Sequence, residues 1–139
     1  MKFRRIALRK KSHCVYAIFF HLVIVTKYRH GFLKEPAARR ILWEVAKKSA
    51  EETEIIIKEV AMEKDHAHFL LEATPQTKVT TFIKLLKGRS SFLIRKALPA
   101  LAKHRAFWSP SFCLLSTGGA PIDIIRKYIE KQGIRDTED

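Results

Sequence analysis

A run of β-branched and aromatic side chains from His13 to Lys27 (HCVYAIFFHLVIVTK) constrains this chain more than any other stretch. Such a run reads as a long, mostly buried strand. Tyr28 to Leu33 contains Gly31, a turn signal. Pro36 stands where a helix can open. Ala38, Ile41, Leu42, Val45, Ala46 and Ser49 then recur at helical spacing, which predicts an amphipathic helix over 36–52. Ile55 to Met62 is β-branched and predicts a second strand. Asp65 marks a turn, and His66 to Ala73 is a third strand ended by Pro75.

Thr77 is placed to cap the next helix. Its apolar stripe is Val79, Phe82, Ile83, Leu86, Ser90, Leu93, Ile94 and Ala97, and Pro99 stops it after Leu98. Residues 100–110 read as basic and irregular. Ser111 to Thr117 predicts a fourth strand, Gly118-Gly119 a turn, and Pro121 the start of a final helix to Gln132. The order β-α-β-β-α-β-α predicts an α+β fold, a ferredoxin-like sandwich with an antiparallel sheet and helices on one face. No linker, repeat or low-complexity segment divides the 139 residues. One domain is expected, with a basic N-terminal arm over 1–12 and a polar, frayed tail from 133.

Charge narrows the partners. The formal net charge is +13, an excess that points to nucleic acid first and an anionic membrane surface second; a merely soluble, self-repelling surface is the bland alternative. Lys2, Arg4, Arg5, Arg9, Lys10 and Lys11 form one basic group. Lys78, Lys84, Lys87, Arg89, Arg95, Lys96, Lys103 and Arg105 form another. Cys14 and Cys113 lie in apolar runs and read as buried, reduced thiols. The basic start lacks an apolar signal segment, and the longest apolar run, Ala17 to Val25, is too short to cross a bilayer. A cytoplasmic protein without a membrane partner is expected.

Two pairs of residues carry chemistry. His66 and His68 are two apart on a predicted strand, so both imidazoles face one side and can share a metal. Alone, such a pair is more often a polar patch. Tyr128 and Gln132 are four apart on the last predicted helix and share one face of it. They flank the apolar stripe of Ile122, Ile125 and Ile129 by roughly 70°. A tyrosine there can pack its ring while presenting its hydroxyl to a cleft, although a half-buried structural tyrosine is the commoner case. The pairs complement each other. A tyrosine hydroxyl can attack phosphorus, and a divalent metal can polarise the scissile phosphate. Two imidazoles and an amide oxygen leave coordination positions open and suit Mg²⁺ or Mn²⁺ in use, though imidazole also accepts Zn²⁺ or Ni²⁺.

The chain resembles the single-tyrosine HUH transposases of the smallest insertion sequences, the IS200-like group. The resemblance runs through HCVYAIFFHLVIVTKYRHGF (13–32), VAMEKDHAHFLL (60–71), FIKLLKGRSS (82–91), the Phe107-Trp108 pair with the strand after it, and IRKYIEKQ (125–132). It implies a metal-dependent enzyme that cleaves and rejoins single-stranded DNA at element ends through a 5′-phosphotyrosine. By position, Tyr128 would be the nucleophile, and His66, His68 and Gln132 the metal ligands. It also implies a homodimer that binds subterminal DNA hairpins. The central Ala67 is smaller than is common there, which bears on packing more than on ligation. Asp65 reads as a turn residue rather than a ligand.

Lys27, Arg29, Lys84, Lys87, Arg89 and Arg105 are candidates for phosphate contacts, with Trp108 for stacking on unpaired bases. Arg126 and Lys127 point away from Tyr128 on a helix. The main competing reading is a non-catalytic or domesticated DNA-binding protein on the same fold. A ferredoxin-like RNA-binding module ranks third, since the strands show no RNP pattern.

Overall fold

The computed structural model describes residues 8–11, 13–116 and 122–138, with side chains over 125–133 in the last helix. The expectations for Lys2, Arg4, Arg5, Gly118, Gly119 and Pro121, and for the Ile122 side chain, lie outside those residues.

The first run is divided rather than continuous. β1 (Arg9–Lys11) and β2 (Cys14–Tyr16) form an antiparallel hairpin, and β3 (Ile18–Val25) follows after Ala17. Arg9 to Lys11 are therefore a paired strand rather than part of a free arm, and Lys11 Nζ bonds Glu54 Oε2 at 2.8 Å. The remaining strands are β4 (Ile56–Met62), β5 (His66–Ala73) and β6 (Cys113–Ser116). They join β3 in one antiparallel sheet of order β4-β5-β3-β6, the strand order of a ferredoxin-like sandwich.

The helices are α1 (Pro36–Glu52), α2 (Val79–Ala97), the single turn α3 (Pro99–Ala102) and α4 (Ile122–Glu138). Pro36 opens α1, where a missing N–H costs nothing. The helix ends because Glu54 takes a φ of 58° and Ile55 N–H returns to the Ala50 carbonyl, a left-handed cap. Thr77 does not cap α2. Its hydroxyl accepts the Thr74 N–H at 3.0 Å and closes the preceding turn, leaving Lys78 at the cap position. Pro99 ends α2 as expected but also opens α3.

Leu22 and Ile24 of β3 and Ala67, Phe69 and Leu71 of β5 pack under α1 and α2, against Leu42, Ala46, Phe82, Ile83 and Leu86. Burial of each large side chain contributes about 1.5–3 kcal/mol. α1 and α2 occupy one face, as expected. α4 differs: Ile125, Tyr128 and Ile129 lie on Val23, Val25 and Cys113, on the other face. The tail also differs, since α4 continues through Gly133 to Glu138. A Cβ on Gly133 would fall 2.8 Å from Arg29 Cδ, so glycine lets the helix lie against the Lys27–Arg29 turn.

Candidate active site

β5 carries the imidazoles because its other face is committed. Ala67, Phe69, Leu71 and Ala73 are buried in the core, so the alternation of a strand turns His66 and His68 outward. Their register partners on β3 are Val25 and Val23, the residues on which α4 rests. Directly paired residues share a face. The imidazole pair and the tyrosine helix therefore occupy the same side of the sheet, over adjacent strands.

Each imidazole is oriented by a neighbour. His66 Nδ1 lies 2.8 Å from Asp65 Oδ1, and a proton donated there leaves Nε2 with a free lone pair. Asp65, only 4% exposed, is also bonded by Arg29 Nε at 3.0 Å. Burial alone would raise its carboxyl, but the hydrogen bonds from His66 and Arg29, with their charges, hold it below the usual range. The Asp65 side chain thus serves His66 and Arg29, in keeping with a structural role. His68 Nε2 lies 2.9 Å from His21 Nδ1. Burial, then the proximity of His21 and His66, holds the His68 imidazole below the usual histidine range against the opposing pull of Glu59. These effects favour the neutral imidazole, the form that ligates metal. His21, Glu59, Val60, Ala61, His68 and Leu70 line a groove of about 280 Å³ beside the pair.

On α4, Tyr128 is half-buried, and its hydroxyl lies 2.8 Å from Ser111 Oγ. Gln132 is 2% exposed, and its Oε1 accepts protons from Ser109 Oγ at 3.1 Å and Ser111 Oγ at 2.8 Å. Among the described residues, no three His, Cys, Asp or Glu side chains are grouped to hold a metal ion. Both lone pairs of the Gln132 amide oxygen are taken by the two serine hydroxyls, so ligation of a metal by Gln132 requires that one of the two bonds be released.

The segment before β6 ties these parts to the body. Trp108 is buried, and its indole N–H donates to Ser90 Oγ at 3.0 Å. It is a core residue, which corrects the expectation of a base-stacking platform. Lys87 is likewise turned inward. Its Nζ donates to the carbonyls of Ser109 at 2.8 Å and Ser111 at 3.1 Å, and burial pushes the ammonium below the usual lysine range. Arg89 pairs with Glu52 at 2.8 Å and Ser49 at 3.2 Å. Lys84 and Arg105 are exposed, and half-buried Lys27 lies over the Tyr28 ring.

The model of the IS200-like transposase family matches residues 14–132. The chain belongs to this family. It is similar to the ISDra2 transposase TnpA of Deinococcus radiodurans, with 36% identity over 90% of this chain and 91% of that one. It is also 30% identical to the transposase for insertion sequence element IS200 of Salmonella typhimurium, over 87% of this chain and 80% of that one. A crystal structure described as a transposase from Deinococcus radiodurans superposes with a TM-score of 0.81 at 32% identity, covering 89% of this chain and 97% of that one. A REP-associated tyrosine transposase shares the fold, with a TM-score of 0.56 at 14% identity, covering 99% of this chain and 74% of that one. Among the described residues no helix is long and apolar enough to cross a membrane.

Sequence reasoning passed over His21, Ser109 and Ser111. Nothing local in the sequence singles out the two serines, because Ser109 falls in the stretch that reads as irregular and Pro110 separates it from Ser111. Nothing local marks His21 either. Its partner lies 47 residues away on another strand.

Proposed function

We propose that this family member is a metal-dependent transposase that cleaves and rejoins single-stranded DNA at insertion-sequence ends through a 5′-phosphotyrosine on Tyr128. His66, His68 and Gln132 would hold Mg²⁺ or Mn²⁺. The observation that carries this reading is the shared sheet face, with Val25 and Val23 paired to His66 and His68 and covered by the helix of Tyr128. When bound, the cation polarises the scissile phosphate and fixes its orientation.

Tyr128 Oη attacks phosphorus, and the Oη–P bond forms as the P–O3′ bond breaks. The phenolic proton passes to water, and the leaving 3′ oxygen takes up a proton. The 5′ phosphate stays on Tyr128. Rejoining reverses the sequence, with a 3′ hydroxyl attacking phosphorus and Tyr128 Oη leaving. One bond is exchanged for another of the same kind, so no ATP is needed.

Labelled single-stranded DNA carrying element ends and subterminal hairpins, incubated with Mn²⁺ or Mg²⁺, should give an SDS-stable adduct that is absent in Tyr128→Phe. DNA binding without an adduct would instead identify a non-catalytic binding protein. An adduct that survives Tyr128→Phe would remove Tyr128 as nucleophile. The proposal includes a homodimer, and a monomer by light scattering at micromolar concentration would count against it.

A further inference from the structure

We infer that Ser111 is a positioning residue that sets the nucleophile and the amide ligand with one hydroxyl, with Ser109 as its support. This rests on the reading of Tyr128 as the nucleophile. The proton of Ser111 Oγ is donated to Gln132 Oε1 at 2.8 Å. A hydroxyl has a single proton, so toward Tyr128 the same oxygen acts as acceptor, and the phenol donates across the 2.8 Å contact. The Tyr128 hydroxyl is thereby held in one rotamer about its C–O bond. Ser109 Oγ bonds the same amide oxygen at 3.1 Å.

Both serines stand on backbone that is itself fastened. Lys87 Nζ holds their two carbonyls. Ser109 N–H bonds the Val25 carbonyl at 2.8 Å, Lys27 N–H bonds the Phe107 carbonyl at 2.9 Å, and the Trp108 indole is fixed by Ser90. α4, in contrast, rests on a small apolar patch of Val23, Val25, Cys113 and Leu115 and, at Gly133, against the Lys27–Arg29 turn. Apolar contact is non-directional and tolerates small rotations of the helix. Hydrogen bonds to hydroxyls do not tolerate them, because they weaken steeply with angle. The hydroxyls therefore add a directional constraint on α4 that the apolar patch does not supply. Tyr128 and Gln132 are set together, so a displacement of the segment at 109–111 would misplace both.

Two measurements test this. In single-turnover assays with saturating labelled single-stranded DNA and Mn²⁺, Ser111→Ala should slow adduct formation by roughly 10- to 100-fold, the scale of loss for a small misplacement. The Kd for DNA should be unchanged, and Ser111→Thr, which keeps the oxygen, should restore most of the rate. By hydrogen exchange without DNA or metal, Ser111→Ala should speed exchange of amides over 125–133 while those of α1 stay protected. A wild-type adduct rate in Ser111→Ala, or slowing that Ser111→Thr does not relieve, overturns the inference. Unchanged exchange in α4 also overturns it. If the wild type forms no adduct, the phosphotyrosine reading fails, and exchange alone decides whether Ser111 sets the helix.

Discussion

Lys87 separates two accounts of the basic residues. It lies in the FIKLLKGRSS segment, where sequence suggests a phosphate contact, yet its ammonium reaches two backbone carbonyls at 2.8 and 3.1 Å. In Lys87→Met the stem is replaced by a side chain of similar length, and both carbonyls lose their donor. A hydrogen bond from a charged group contributes about 1.5–3 kcal/mol, and a carbonyl left buried without a partner costs about 1–3 kcal/mol. Burying the ammonium opposes this, as its lowered pKa indicates. The net loss should be about 2–3 kcal/mol, given two bonds of the first kind and some rehydration of Ser111, which is only half-buried. At this chain length the melting temperature should fall by about 7–10 °C. The assay pairs a thermal melt with single-stranded DNA binding across a salt series. The structural account predicts the lower melt and an unchanged salt slope. A phosphate contact predicts an unchanged melt and a slope reduced by about 0.7. A melt within about 1 °C of wild type together with that reduced slope would refute the reasoning.

Two further outcomes follow from the same contacts. Trp108→Phe removes the donor to Ser90 and part of a buried ring, so a urea midpoint should show a loss of about 1–3 kcal/mol with DNA affinity kept; weakened binding at full stability would return Trp108 to the DNA surface. His21→Ala frees the His68 ring, and Mn²⁺ affinity by calorimetry should fall about 10–100-fold, as for other outer partners of metal ligands; equal affinity would show that His21 does not orient His68.

Local signals were legible and distant partners were not. The bounds of α1 and β5 follow from Pro36, from a 3.6-residue stripe and from a period of two, all of them neighbours in sequence. The run at 13–27 reads as one strand, because nothing in its composition shows that Arg9 to Lys11 fold back onto Cys14 to Tyr16. Trp108 and Lys87 were misplaced for a related reason. A tryptophan in a basic segment looks like a stacking platform until Ser90, 18 residues earlier, is found beneath it. A lysine on a helix looks solvated until carbonyls 22 and 24 residues later are found around it. Tyr128 and His66 were each visible alone. Their placement on one sheet face depends on the pairing of β3 with β5, which no short-range pattern encodes.

The division of β5 between its two faces has an evolutionary consequence. Ala67, Phe69, Leu71 and Ala73 fix the register, since a slip of one residue would turn them to the outer face and bury the imidazoles. His66 and His68 take no part in that core. A copy of this gene that loses either histidine by mutation keeps the core that fixes the sheet and gives up the bond to Asp65 or to His21. On the proposed reading, such copies would lose the chemistry yet persist as folded competitors for the same DNA ends, and selection acting on foldedness alone would not remove them.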